Sequence, residues 1–74
     1  MTPQETIETA VKAYPGTLEA VARESGISRT RLHAYVVARP GAAQYRAPRE
    51  EDARAVVTAV RTLLVRALTA LPPA

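Results

Sequence analysis

Residues 29–37, Arg-Thr-Arg-Leu-His-Ala-Tyr-Val-Val, carry the groups with the most chemistry to offer. Wound as a helix at about 100° per residue, the segment places Arg29, Thr30, His33, Ala34 and Val37 on one side. Leu32, Tyr35 and Val36 lie towards the other. The first side combines a fork of guanidinium donors, a hydroxyl, an imidazole and small apolar groups. A guanidinium can donate two parallel hydrogen bonds to the O6 and N7 acceptors of guanine. A threonine can hydrogen-bond a base or lay its methyl on thymine. His33 can reach a base or a phosphate, and Ala34 and Val37 offer apolar contact. These five residues are the candidate base contacts. The alternative for Arg29 and His33 is an ordinary solvated surface position.

Other chemistries find less support. Glu50, Glu51 and Asp52 are clustered carboxylates of a kind used in acid–base catalysis. They stand at a helix start, where acids complement the helix dipole, and no nucleophile or metal ligand accompanies them. No phosphate-cradling glycine loop, dinucleotide fingerprint or Ser–His–Asp set occurs. The chain has no Cys and one His, which excludes disulfides and thiolate or His-rich zinc sites. Neither enzyme activity nor a cofactor or metal is expected.

The elements that must position the Arg29 face follow from local signals. The aromatic residues are three tyrosines, and β-branched residues do not alternate with polar ones. The chain therefore reads as all-α, a compact domain of about four helices spanning 1–74. Thr2-Pro3-Gln4-Glu5 is a capping box with Pro at the first helical position. Ile7, Val11 and Tyr14 continue at helical spacing until Pro15-Gly16. Thr17 caps a short second helix with Leu18, Val21 and Ala22 on one face. Gly26 ends it, since glycine tolerates the left-handed backbone of a helix C-terminus. Ser28 caps a third helix, about 29–38, with Leu32, Tyr35 and Val36 inward. Residues 39–47 read as a loop. Pro48 opens a fourth helix over about 49–70.

The second and third helices meet at a three-residue turn centred on Gly26, with small Ala22 four residues before it and Ile27 plugging the gap. Residues 17–38 thus form the helix-turn-helix pattern, whose second helix enters the major groove. The segment resembles the helix-turn-helix of the lac repressor family and of the phage Cro-like repressors. The match lies at Thr17-Leu18, Val21-Ala22, Gly26-Ile27-Ser28 and Val36-Val37, within about a third of the chain. Ser25 departs from the larger apolar residue usual in Cro-like repressors. Ala34 departs from a base-reading Arg of the lac type. By this resemblance the recognition pair falls on Arg29 and Thr30. The partner expected is double-stranded DNA. Thr17 and Ser28, at helix N-termini, are expected phosphate contacts. Arg31, beside the groove face, and Arg39, Tyr45 and Arg46 in the loop extend that set.

The fourth helix is apolar at Ala53, Val56, Val57, Val60, Leu63, Leu64, Ala67, Leu68 and Leu71. About 22 residues at 1.5 Å each give ~33 Å, whereas a three-helix body is about 25 Å across. The last turns should overhang that body, and an apolar overhang asks for a partner. A second copy is expected, through Val60, Leu64, Ala67, Leu68 and Leu71, giving a two-fold dimer suited to a palindrome. The competing arrangement folds the helix back to complete a monomer core.

The net charge of +3 permits an anionic partner. No apolar run is long enough for a transmembrane helix, and Met1-Thr-Pro-Gln-Glu is unlike a signal peptide. A cytoplasmic protein is expected, without membrane partner or small-molecule effector. The function expected is that of a small transcriptional regulator, a repressor of phage or mobile-element type, acting as a homodimer on a palindromic operator. The alternative is a helical interaction module, an antirepressor or antitoxin, binding another protein through its C-terminal helix.

Overall fold

Thr2 starts the first helix as its sequence prescribes. The Glu5 amide donates to Thr2 Oγ1 and the Thr2 amide to Glu5 Oε1, both at 3.1 Å. Pro3 occupies the first position, where a missing N–H costs nothing. In a computed structural model describing residues 1–37 and 47–73, helix α1 runs Pro3–Ala13, α2 Leu18–Ser25, α3 Arg29–Val37 and α4 Glu50–Ala70. The described residues contain no strand, so the fold is all-helical, with a long C-terminal helix.

Each end has its expected chemistry. Thr17 Oγ1 accepts from the Ala20 amide at 3.2 Å. Gly26 closes α2 at φ +78°, with its amide donating to the Ala22 carbonyl at 3.0 Å. Ser28 Oγ accepts from the Arg31 amide at 3.1 Å. The fourth helix begins one residue later than expected. Arg49 is its N-cap and supplies no side-chain bond there.

Packing follows the apolar faces. Ile7, Val21, Leu32 and Val56, one from each helix, are fully buried at the centre. Side chains of this size each contribute about 1.5–3 kcal/mol when removed from water. Ala22, Ile27, Tyr35, Ala53, Ala59 and Val60 complete the core, with Val11, Tyr14, Leu18, Val36 and Leu63 packed around it. The first half of α4 lies against α1 and α2. Its tail projects: every residue from Leu64 to Pro73 is exposed, and the molecule extends 48 Å along its longest axis against 22 Å across.

Contrary to the expectation that it joins the dimerisation face, Val60 is 4% exposed, sealed within its own chain's core. It shares a face with Val56 and Ala59 that α1 and α2 already cover. The free apolar strip begins one turn later and consists of Leu64, Val65, Leu68 and Leu71. Ala67 is exposed beside it. Among the described residues, no helix is long and apolar enough to cross a membrane.

Candidate nucleic-acid interface

The expected base contacts lie on α3, and α3 is held by the turn that precedes it. Ala22 is buried, which lets the chain pass close to α2. Ser25 Oγ donates to the Ala22 carbonyl at 3.2 Å and accepts from the Ile27 amide at 3.3 Å. The residue that departs from the Cro-like pattern therefore stitches the turn with hydrogen bonds where a larger side chain would pack. Ile27 is buried beneath it.

From that turn α3 presents two opposite sides. Leu32 and Tyr35 point into the core. Arg29, Thr30, His33 and Val37 are exposed, and Ala34 is half-buried between them. All five expected base contacts thus share one accessible side of a helix that carries no acid. Thr17 and Ser28 are exposed at the N-termini of α2 and α3. Their oxygens accept backbone bonds, which leaves each hydroxyl hydrogen available to an external acceptor.

The ion pairs sort the cations. Arg23 binds Glu19, Arg49 binds Glu51, Arg54 binds Glu50 and Arg66 binds Glu24, at 3.1–3.5 Å. Such exposed pairs contribute little to stability, about 0–1 kcal/mol each, but they place an acid beside each arginine. Arg29 joins no ion pair among the described residues.

Arg31 is different again. Its Nη2 donates to Asp52 Oδ1 at 2.8 Å, while its side chain remains 49% exposed. Tyr35, one turn on, donates its hydroxyl to Asp52 Oδ2, also at 2.8 Å. Asp52 is 8% exposed, the one buried charged residue among those described. The Arg31 guanidinium lies 5.9 Å from the Tyr35 ring centroid, at the outer limit of a cation–π contact. Burial, reinforced by the bond to Asp52, pushes the Tyr35 phenol above its ordinary range. On the far side, Gln4 Nε2 donates to the Tyr35 carbonyl, near the end of α3 where helical carbonyls lack partners.

By its sequence Asp52 belongs with Glu50 and Glu51 as a helix-start acid. It does stand in the first turn of α4, but it turns inward and joins α4 to α3. A signal existed in Tyr35. An inward tyrosine needs a buried acceptor for its hydroxyl, and its i−4 neighbour is a cation. The sequence held no indication that α4 would begin beside that pair.

The chain matches no protein-family model, no curated protein and no solved structure.

The three remaining expected phosphate contacts, Arg39, Tyr45 and Arg46, lie outside the described residues. Among the described residues no group of His, Cys, Asp or Glu is arranged to hold a metal ion.

Proposed function

We propose that this protein is a sequence-specific DNA-binding regulator that inserts α3 into the major groove. One observation carries the reading. The exposed side of α3 displays Arg29, Thr30, His33, Ala34 and Val37 without an acid among them, and Arg29 joins no ion pair among the described residues. A short helix capped by Ser28, preceded by a Gly26 turn and a Thr17-capped helix, has the form of a helix-turn-helix. Arg29 and Thr30 sit in its first turn, where base edges are normally read. Thr17, Ser28 and the solvent edge of Arg31 flank them as phosphate donors.

In this reading the protein is a cytoplasmic repressor of the phage type. It works as a homodimer through Leu64, Ala67, Leu68 and Leu71, and occupies a palindromic operator. Two copies would place their third helices about 34 Å apart on one face of the duplex. Occupancy of the operator then follows the concentration of the protein.

Amide shift mapping tests the reading directly. On adding a random-sequence duplex at about 50 mM salt, where phosphate contacts are strong, shifts are expected at Thr17 and over residues 28–37. The tail of α4 should stay silent. Shifts confined to α1 or α4, or none, would overturn the proposal.

A second reading rests on the exposed strip of Leu64, Val65, Leu68 and Leu71. An apolar helix face of that kind suits a groove on another protein, as in an antirepressor or antitoxin. The α3 face would then be scaffold, and duplex DNA would shift no amide.

A further inference from the structure

The geometry points to Asp52 as the positioning residue that sets the pitch of α3 and presents Arg31 to the DNA backbone. This rests on the DNA-binding reading and extends it to a residue that touches no DNA.

Helix α3 packs against α2 and α1, whereas α4 packs against α1 and α2. The bond that reaches from α3 to α4 is made by side chains. Arg31 and Tyr35, at i and i+4, stack on one flank of α3, and both donate to the same carboxylate at 2.8 Å. Two bonds from successive turns fix a direction as well as a distance. Leu32 and Tyr35 already seat α3 in the core, and the two bonds add a fixed direction toward α4. The carboxylate is itself well placed, because the first turn of α4 offers it the positive end of the helix dipole.

The arrangement constrains Arg31 without using it up. One Nη donates to Asp52, and half the side chain faces solvent. A guanidinium has five N–H donors in a rigid fork, so holding one edge on Asp52 aims the other outward. Arg31 borders a surface cleft together with Ser28 and Thr30 on one side and Arg49, Glu51 and Asp52 on the other, so its exposed part lies on the flank of the reading face. Arg31 is thus a backbone contact whose direction is set from α4, and that direction fixes how deeply Arg29 and Thr30 enter the groove. Phosphate contacts set register in this way and leave sequence to the base contacts.

The role has a signature that simple electrostatics and simple structural support do not share. Asp52→Asn keeps the shape and one acceptor but adds one positive charge to the net. If Asp52 acted only by charge, the variant would bind every duplex more tightly. If it acted only by holding the fold together, every affinity would fall in step with the folded fraction. A positioning residue separates the two: affinity for random DNA holds or rises while affinity for the selected site falls.

The test takes the duplex that the wild-type chain selects from a random-sequence library. Its affinity is compared with that of a random duplex of equal length, across a salt series. For folded Asp52→Asn the ratio of the two affinities is expected to fall about tenfold, the order of one lost base contact. Tyr35→Phe keeps the Arg31–Asp52 bond and the buried ring, and should give a smaller fall in the ratio. It serves as the readout if Asp52→Asn does not fold. An unchanged ratio in the folded variants overturns the inference while leaving the DNA reading intact. A wild-type chain that binds neither duplex removes both.

Discussion

At the residue scale, the accessible side of α3 was legible because helical periodicity is strict. Once Leu32 and Tyr35 are inward, Arg29, Thr30, His33 and Val37 must be outward. What a side chain binds across the fold was not legible. Arg31 reads as an outer cation, and only the position of α4 reveals that Asp52 holds one of its edges. Tyr35 gives this cluster a measurable signature. Its phenol is shifted upward by burial and by its bond to Asp52, so it should ionise later than an unperturbed tyrosine. In an ultraviolet titration, the step lost on Tyr35→Phe should lie above the ordinary tyrosine value. The sign for stability follows. Below about pH 10, the ordinary phenol value, the stabilisation is complete. As pH rises through the higher value of folded Tyr35 it is lost, because the unfolded chain sheds that proton first. Loss of a step at the ordinary tyrosine value would contradict the arrangement.

At the element scale, helix ends were the most readable features. Thr2, Thr17 and Ser28 cap with side-chain oxygens because each leaves backbone donors to satisfy. Gly26 takes φ +78°, a conformation that costs other residues about 1–2 kcal/mol. Nothing lies within 4 Å of a methyl added there, so Gly26→Ala should destabilise by backbone strain alone. Gly26→Asn should destabilise less, since asparagine tolerates the left-handed region. Denaturant melts check this, and equal stability of glycine and alanine forms would contradict it. Where α4 stops being core was less readable. Its apolar pattern continues from Val56 through Leu71 without a break, and pattern alone does not say where the body beneath it ends. The structure puts the change between Val60, sealed inside, and Leu64.

That boundary governs the whole molecule. A 74-residue chain buries a small core, about 60% of its unfolded surface, and cannot spare apolar area. Leu68 is 70% exposed and Leu71 64%. If the tail joins a second copy, wild-type melting temperature rises with protein concentration, as linkage requires. Sedimentation at micromolar concentration should give a dimer. Leu68→Glu should give a folded monomer with no concentration dependence, since Leu68 supports nothing within its own chain. Wild-type and variant chains behaving alike as monomers would contradict the dimer and favour a different protein as the partner of α4.

The central claim is that the Arg29 side of α3 reads DNA sequence. Selection of bound fragments from a sheared genomic library at about 150 mM salt, where non-specific contacts are weakened, tests it most directly. The Arg29→Ala/Thr30→Ala double variant is run in parallel. The account predicts a two-fold-symmetric motif from the wild-type chain that the variant fails to recover. It also predicts that Arg29→Ala alone lowers affinity for that motif by about 1–3 kcal/mol and relaxes one base position. No motif, or the same motif from the double variant, would contradict it.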